Sequence, residues 1–364
     1  MAGIYVHVPF CHAKCAYCDF YSLANMRFMP AYVDAIVAEW QARNTELGSE
    51  TVRTLYFGGG TPSVLPTVSL RRIVDVLPTE HLEEFTIEVN PEDVSAEKVE
   101  AWKVAGVNRV SMGVQTLVDE ELKLVGRRHT AAEALAAIDC LRHGGIDNIS
   151  CDLIYGLPLQ SMQSWRYSLD TLLDKGIEHL SAYCLSYEPG TRLAMKRDRG
   201  ELVETDEEIV ARMYALLCTT AKQSGMEHYE ISNFALPGYF SRHNSSYWDS
   251  TPYLGLGPGA HSLGSDGVRR YVPSDLRAYI SAPAKSAVVD EEDAIECVND
   301  RILIGLRTAK GLPLDAVPAE YRTQLLGSAQ RHIAAGHLVA ADRYLRIPEE
   351  KWLISDMVIR DLFL

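Results

Sequence analysis

The sequence has no segment that would carry the chain into or across a membrane. A membrane-spanning helix needs about 18 uninterrupted apolar residues, and no such stretch occurs. The first residues, MAGIYVHV, contain neither a basic region nor an apolar run followed by a cleavage site, so they do not resemble a secretory signal peptide. We therefore expect a cytoplasmic protein without a transmembrane segment.

Positive charge is also scarce. The 364 residues include 35 Lys and Arg against 49 Asp and Glu, which gives a formal net charge of −14. Because an excess of negative charge opposes binding to a phosphate backbone, we expect no nucleic acid partner. Hydrophobic residues make up 47% of the chain and charged residues 23%, values that indicate a globular protein rather than a disordered one.

The eight cysteines do not form the paired pattern of a structural zinc site, because no second C-x-x-C is present. Cys11, Cys15 and Cys18 lie within eight positions, in CHAKCAYC. In a reducing compartment, closely spaced cysteines are more often metal ligands than disulfide partners. The other five stand alone in apolar segments and are expected to be buried structural thiols: Cys140, Cys151, Cys184, Cys218 and Cys297.

Short β-branched runs alternate with helical stretches from Gly3 to about Phe234. Each of about six predicted strands is followed by a helix, which is the pattern of parallel βαβ units. No Gly-x-Gly-x-x-Gly motif follows the first strand, so a dinucleotide-binding sheet is disfavoured. We expect an α/β fold in which residues 1–234 form a partial parallel (β/α) barrel.

Two further segments follow the predicted barrel. Residues 235–289 are rich in glycine, proline, serine and aromatic residues, and we expect an irregular segment that covers the barrel. Residues 290–364 predict a helix at 294–307, a helix at 319–335 and a short hairpin, an order that resembles a winged helix. We expect a small, mainly helical C-terminal domain that packs on the barrel or forms a lid, since the acidic chain disfavours DNA binding.

Three thiolates from one short loop suit a cubic iron–sulfur cluster that leaves one iron open to another ligand. The loop follows the first predicted strand, and sites in parallel barrels lie at the carboxyl ends of the strands. His12 is too close to Cys11 to complete an ordinary tetrahedral zinc site. A zinc site and three unliganded cysteines remain as alternatives at this point.

The spacing C-x-x-x-C-x-x-C resembles the defining motif of the radical S-adenosylmethionine (SAM) superfamily. The resemblance implies a partial barrel that binds a 4Fe–4S cluster through Cys11, Cys15 and Cys18. It also implies that the amino and carboxylate groups of SAM bind the open iron. In the superfamily an electron from the cluster then cleaves the sulfonium to a 5′-deoxyadenosyl radical.

The other strand ends carry residues suited to such a cofactor. The glycines of GGGTP, residues 58–62, let the backbone approach a ligand closely, although a tight turn alone would explain them. Glu88 could balance an amine and Arg127 could hold a carboxylate, with a solvated strand end and a surface ion pair as the alternatives. Asp152 lies where an uncompensated charge would be costly, which suggests a hydrogen bond to a ribose or a peptide group.

Five motifs together narrow the resemblance to the oxygen-independent coproporphyrinogen III oxidase branch of the superfamily. They are IYVHVPFC, YFGGGTPS, EVNPE, RVSMGVQ and DLIYGLPLQ, and the resemblance extends over almost the entire chain. It implies SAM contacts at nine positions: Tyr5, Tyr17, Gly59, Gly60, Thr61, Glu88, Gln115, Arg127 and Asp152.

Within that branch, three features favour the haem chaperones of the HemW group over the oxidases. The oxidases carry C-x-x-x-C-x-x-C-x-C, whereas position 20 here is Phe20. The oxidases also have a substantial extension ahead of the cluster loop, whereas only ten residues precede Cys11, so we expect part of the oxidase site to be missing. Finally, RHNSSYW, residues 242–248, resembles the H-N-x-x-Y-W haem signature of the HemW group.

The chemistry of this signature suits haem. A neutral imidazole is a good axial ligand, and Tyr and Trp offer flat apolar faces to a macrocycle. The resemblance implies haem binding by His243, Asn244, Tyr247 and Trp248, on a loop that could expose His243. An aromatic loop that only anchors itself to the barrel is the alternative. We also consider His261 as a second ligand and Arg269 and Arg270 as propionate partners, although a solvated basic pair would explain the two arginines.

The sequence thus predicts a haem chaperone that transfers haem to an acceptor protein of unknown identity. The cluster and SAM would act as a structural or regulatory switch, or would run a cleavage reaction supplied by an electron donor such as a flavodoxin or ferredoxin. The alternative is an oxygen-independent coproporphyrinogen III oxidase that performs radical oxidative decarboxylation. A zinc-containing adaptor without redox activity is the third reading.

Overall fold

The computed structural model describes all residues from 1 to 364. Fifteen strands are present: β1 (Ala2–Val8), β2 (Val52–Gly59), β3 (Glu84–Val89), β4 (Arg109–Gln115), β5 (Asn148–Tyr155), β6 (His179–Cys184), β7 (Glu227–Glu230), β8 (Asn233–Ala235), β9 (Tyr253–Leu256), β10 (His261–Leu263), β11 (Arg269–Tyr271), β12 (Val288–Val289), β13 (Leu312–Pro313), β14 (Val339–Ala341) and β15 (Tyr344–Arg346).

Thirteen α-helices connect and cover these strands. They are α1 (Met29–Arg43), α2 (Thr67–Val74), α3 (Ala96–Val104), α4 (Asp119–Val125), α5 (Ala131–His143), α6 (Met162–Asp174), α7 (Arg192–Asp198), α8 (Glu207–Gln223), α9 (Arg242–Trp248), α10 (Leu276–Ser281), α11 (Ala294–Leu306), α12 (Ala319–Ala334) and α13 (Ser355–Arg360). None of the helices is both long and apolar enough to span a bilayer.

The strands β1 to β6 lie side by side in chain order and pair in parallel. Helices follow these strands as crossover connections, so the carboxyl ends of all six meet at one edge of the sheet. This is the predicted partial (β/α) barrel. The antiparallel strands β8 and β7 extend the sheet beyond β6, and β9 pairs in parallel with the outer side of β1.

The segment 235–289 contains regular elements, whereas the sequence predicted an irregular one. The helices α9 and α10 and the strands β9 to β12 fall within it, and the four strands continue the barrel sheet beyond β1. The strand β9, with sequence YLGL, pairs from Gly3 with Tyr253 to Val6 with Leu256. The residues of β9 pair with residues about 250 positions away in the chain, and such pairing leaves no local sequence pattern. The prediction of an irregular segment rested on composition alone and therefore missed the strand.

Capping residues fix the starts of several helices. At α5, the Thr130 side chain accepts from the Glu133 amide while the Glu133 carboxylate accepts from the Thr130 amide. The residues Asp293 and Glu296 form the same reciprocal pair at the start of α11. These boxes satisfy backbone donors that a helix start would otherwise leave unpaired, and the start predicted at residue 294 agrees with that of α11.

Apolar and polar side chains alternate along the parallel strands, so the sheet has an apolar outer face and a polar inner face. Ile4, Val6 and Val8 of β1 are fully buried and belong to a core of 69 residues. This core continues into the C-terminal unit, whose α11, α12 and three-stranded sheet β13-β15-β14 contribute residues such as Val298 and Leu325. The unit is mainly helical, as predicted.

Candidate functional site

A cavity of about 430 Å³ opens at the carboxyl ends of the parallel strands. Twelve residues were predicted to hold a cluster or SAM, and all but Tyr5 line this cavity: Cys11, Cys15, Cys18, Tyr17, Gly59, Gly60, Thr61, Glu88, Gln115, Arg127 and Asp152. The loop after β1 and the carboxyl-terminal parts of β2 to β5 supply all of them except Arg127, which follows α4. Parallel pairing brings together side chains from positions 11 to 152, as the strand-end argument expects.

The three-cysteine loop is fastened at several backbone positions. The Cys11 amide donates to the Leu23 carbonyl at 3.1 Å, and the Ala16 amide donates to the Val125 carbonyl at 2.8 Å. The Leu193 amide donates in turn to the Ala16 carbonyl at 2.8 Å. The helices α4 and α7 therefore fix the loop over the mouth of the barrel.

The donor set of this loop fits a 4Fe–4S cluster. The Thr61 hydroxyl donates to Cys11 Sγ at 3.1 Å, and Arg127 Nη1 donates to Cys15 Sγ at 3.6 Å, contacts that stabilise thiolates. No three His, Cys, Asp or Glu side chains are close enough together to hold a single metal ion. Each cysteine ligand of a cubane binds a different iron, so three cysteines on one loop can hold a cluster whose fourth iron is open to another ligand.

The glycine loop after β2 has no room for side chains. Gly59 has a φ of +105°, a conformation that residues with a Cβ rarely adopt. A Cβ on Gly60 would lie 2.6 Å from the carbonyl oxygen of Phe10. The backbone itself therefore forms this wall, and its polar groups are available to a ligand.

Glu88 and Asp152 place two carboxyl groups in the cavity. Burial raises the pKa of Glu88 to about 7, and the nearby Asp152 charge adds to this, while hydrogen bonds from the Tyr56 hydroxyl (2.8 Å) and the Gly59 amide (3.1 Å) oppose it. Burial also raises the pKa of Asp152 to about 6, and Ser111 donates to this carboxyl at 3.3 Å. An amine that donates N–H hydrogen bonds to Glu88 would compensate part of the buried charge.

Arg127 does not form a surface ion pair. Its Nη2 donates to Asn90 Oδ1 at 2.7 Å and to the Gly113 carbonyl at 2.6 Å, which fixes the guanidinium at the cavity wall. Gln115 has a φ of +69° and lies at an irregularity in the pairing of β4 with β5. A non-glycine residue in this region is uncommon and is often found at functional sites.

Sequence reasoning missed several residues of the cavity. Asn90, which orients Arg127, stands two positions after Glu88 in the motif EVNP, and that strand-end position was the available signal. Cys184 was expected to be buried but is exposed and lines the cavity with Tyr183, because β6 ends there. Tyr5 lies outside the cavity, and its hydroxyl is 3.2 Å from His7 Nδ1.

His243 is buried on the helix α9, which corrects the expectation of an exposed loop histidine. Its side chain is fully inaccessible, with Nδ1 2.8 Å from the Thr54 hydroxyl and Nε2 2.9 Å from the Tyr247 hydroxyl. Burial, aided by the positive charge of Arg109, lowers the pKa of His243 to about 3. The imidazole is therefore neutral, and both ring nitrogens are engaged.

An aromatic stack connects His243 to the cavity. The His243 ring lies on the ring of Tyr56 with centroids 5.1 Å apart, and the Tyr56 hydroxyl donates to Glu88. The Tyr5 ring completes this group, with its centroid 6.0 Å from that of Tyr56 and 6.3 Å from that of His243. The predicted SAM and haem residues thus meet inside the barrel at Tyr56.

The remaining haem candidates do not gather around His243. Asn244 is held at the helix start, where its amide donates to Ser241 Oγ at 3.3 Å, and Trp248 lines a separate cleft. His261 is exposed on β10, where its ring stacks on that of Tyr271. The two arginines of β11 are held in ion pairs, Arg269 with Glu292 and Asp300 and Arg270 with Asp266.

Comparisons with known proteins agree with these observations. A sequence profile of the radical SAM superfamily matches residues 5–172. The chain is 34% identical over 341 residues to the haem chaperone HemW of Bacillus subtilis (strain 168), covering 90% of this chain and 89% of the relative. It is 35% identical over 325 residues to the haem chaperone HemW of Lactococcus lactis subsp. lactis (strain IL1403), covering 87% and 84%. The coproporphyrinogen III oxidase HemN from Escherichia coli shares the fold, with a TM-score of 0.83 at 21% identity over 100% of this chain and 90% of that one.

Proposed function

Because this chain belongs to the radical SAM superfamily and, within its coproporphyrinogen III oxidase-like branch, to the HemW family, we propose that it is a haem chaperone that binds haem and passes it to an acceptor protein. The observation that carries the proposal is the similarity to haem chaperones over about nine-tenths of the chain. The oxidase structure is 21% identical, and this likeness concerns the fold. Phe20, which takes the place of the fourth oxidase cysteine, lines the cavity and supports the same choice.

The cavity residues support a 4Fe–4S cluster and SAM as cofactors. Cys11, Cys15 and Cys18 would bind three irons, and Glu88 would accept hydrogen bonds from the amino group of SAM. Arg127, oriented by Asn90, would face the carboxylate of SAM, and Asp152 would accept from the ribose hydroxyls. When bound, these cofactors supply a reducing electron and a sulfonium that the electron can cleave.

The haem-binding residues of the proposal are His243, Asn244, Tyr247 and Trp248. Since both nitrogens of His243 are engaged inside the barrel, an iron reaches this imidazole only when α9 moves away from β2. Such a movement would break the hydrogen bond to Thr54 of β2 and would also uncover Tyr56, whereas Tyr247 lies on the same helix and its side chain would have to release Nε2 for the iron. We therefore expect haem ligation by His243 to accompany an opening of α9.

Haem titration of the anaerobically reconstituted protein tests this function. Haem absorbance should shift and saturate with the wild-type protein, and His243→Ala should weaken the affinity at least about tenfold through loss of an axial ligand. His143→Ala changes an exposed histidine at the end of α5 and serves as the matched control. A wild-type protein that binds no haem would overturn the function, whereas an unchanged affinity in His243→Ala would remove only the ligand assignment.

The oxidase alternative has a separate test. The reconstituted protein would be incubated with SAM, a reductant and coproporphyrinogen III, and the products would be separated chromatographically. We expect no decarboxylated porphyrin. Conversion of coproporphyrinogen III to protoporphyrinogen IX would show that the oxidase reading is correct.

A further inference from the structure

A second cleft, of about 490 Å³, separates the helix α9 from the C-terminal unit. We propose that this cleft receives the haem macrocycle, with Trp248 on one wall and with Arg301 and Lys310 pairing the two propionates. The inference rests on the proposed function and gives its cargo a place in the molecule. It assigns to haem a surface that is distinct from the cluster and SAM cavity.

The barrel wall of the cleft is aromatic. The rings of Tyr229 and Phe240 stack with centroids 4.3 Å apart and an interplanar angle of 9°. Both residues line the cleft together with Ser245 and Trp248 of α9. Flat aromatic surfaces attract a porphyrin through offset stacking and the burial of apolar area.

The opposite wall comes from the C-terminal unit. Ile304 and Gly305 of α11, the segment 310–313 and Tyr344 of β15 form it. A Cβ on Gly305 would lie 2.7 Å from the Cα of Leu312, so only glycine lets α11 pack this closely on β13. The cleft therefore has one wall from the barrel and α9 and a second wall from the C-terminal unit, between which a planar ligand could lie.

Two cations on the cleft lack carboxylate partners. Arg301 is exposed, and its Nη1 donates to the backbone carbonyl of Ala316 at 2.7 Å. Lys310 is also exposed and forms no ion pair, in contrast to Arg269, which binds two carboxylates. A dianionic ligand with its acidic groups at one edge, such as haem, matches a pair of free cations on a wall.

The acidic groups of the cleft do not neutralise these cations. Asp249 accepts hydrogen bonds from the Thr251 amide (3.1 Å) and the Thr251 hydroxyl (2.5 Å), and Glu227 also lines the cleft without an ion pair to either cation. The indole Nε1 of Trp248 is buried and has no acceptor. Buried donors are normally paired, so an acceptor oxygen from a ligand would complete this contact.

The size and position of the cleft favour haem as its occupant. Cavities of this volume take ligands of the size of cofactors. The first cavity is lined by the proposed cluster and SAM residues. The cleft instead contacts α9, which carries His243 on the side that faces the barrel and Trp248 on the side that faces the cleft. Haem bound in the cleft would therefore contact the helix whose opening exposes the proposed iron ligand.

Titration with iron-free protoporphyrin IX, monitored by quenching of tryptophan fluorescence, tests the cleft apart from iron ligation. The double variant Arg301→Glu/Lys310→Glu and the variant Trp248→Ala should each bind this porphyrin about tenfold more weakly than the wild-type protein. The double variant Arg212→Glu/Lys222→Glu, which changes two exposed cations of α8, makes the same change in net charge and should bind normally. If the charge-reversed cleft variant fails to fold, as judged by thermal melting, Arg301→Gln/Lys310→Gln replaces it, with a loss of about threefold.

Each outcome of these titrations tests either the assignment of haem to the cleft or the proposed chaperone function. Cleft variants that bind haem and protoporphyrin IX as tightly as the wild-type protein would overturn the cleft assignment and leave the chaperone function standing. A wild-type protein that binds haem but not the iron-free porphyrin would also overturn it, since binding would then depend on iron ligation alone. A wild-type protein that binds neither would overturn the proposed function itself.

Discussion

The carboxyl group of Glu88 lies between the proposed SAM site and the interior of the barrel. Its pKa of about 7 exceeds its ordinary value of 4.5, chiefly because burial disfavours the charged form. The folded apoprotein therefore holds this proton more tightly than the unfolded chain does. It follows that the contribution of Glu88 to stability is lost as the pH rises from about 4.5 through 7, and that a bound amine would restore part of it.

This ionisation predicts how SAM affinity depends on pH. The amino group of SAM needs the carboxylate form, so affinity measured by calorimetry should fall about tenfold between pH 8 and pH 6 as Glu88 takes up a proton. Glu88→Gln should bind SAM weakly at every pH. The apo form of that variant should be more stable than the wild type at pH 8 by about 2–3 kcal/mol, because an uncompensated charge is removed.

Glu188→Gln is the control for this prediction, since Glu188 is another carboxyl of the same cavity. It should leave both the pH profile and the melting temperature unchanged. A wild-type affinity that is flat from pH 6 to 8 would contradict the assignment of Glu88 to the amine.

The site residues at strand ends were the easiest to predict from the sequence. Their positions follow from the order of the parallel strands, which is why eleven of the twelve predicted cofactor residues line one cavity. Tyr5 lies deeper along β1, with its ring against that of Tyr56 inside the barrel, so its contact with SAM stays a prediction. The burial of His243 could not be predicted from the sequence, because its partners Thr54 and Tyr56 lie almost 190 positions away in the chain.

At the level of single elements, α9 is a short helix held at its start by one carboxylate. Glu84 accepts from the Arg242 amide at 2.8 Å and from the His243 amide at 2.9 Å, so it supplies the negative group that a helix start favours. Glu84 is buried at the beginning of β3. The attachment of the whole helix to the barrel therefore depends strongly on this side chain.

Removing this carboxylate should release α9. Glu84→Ala should reduce the free energy of unfolding by about 1–2 kcal/mol and should speed amide hydrogen exchange in residues 242–248. Haem should then associate faster, because the opening that exposes His243 becomes less costly. Glu80→Gln is the control, since Glu80 is exposed in the turn before β3 and forms no ion pair. Equal exchange rates in the two variants would show that Glu84 does not hold the helix.

The elements with local signals were predicted well and those with distant partners were not. The helix predicted at 294–307 matches α11, whose capping box and apolar spacing lie within one short stretch of the chain. The strand β9 and the helix α9 were missed, because one is defined by pairing with β1 and the other by contacts with β2 and β3. Tertiary contacts, rather than propensity, form these two elements.

Across the whole molecule, the barrel and the C-terminal unit share one continuous core. Trp352, 3% exposed, packs edge-on against the ring of His228 in β7 with centroids 4.2 Å apart. Backbone hydrogen bonds cross the same boundary, from the Ile231 amide to the Arg307 carbonyl at 3.0 Å and from the Ala309 amide to the Tyr229 carbonyl at 3.1 Å. Continuous packing of this kind couples the unfolding of the two parts.

We therefore expect Trp352→Ala to destabilise the whole chain and not the C-terminal unit alone. The loss of a large buried side chain should reduce the free energy of unfolding by about 3–5 kcal/mol. Calorimetry of the apoprotein should show a single transition that moves to lower temperature, because the barrel strands β7 and β8 lose their support at the same time. Leu353→Ala changes a neighbouring side chain that is 42% exposed and should shift the melting temperature little. Two separate transitions in the Trp352 variant, with the upper one at the wild-type temperature, would show instead that the C-terminal unit unfolds independently of the barrel.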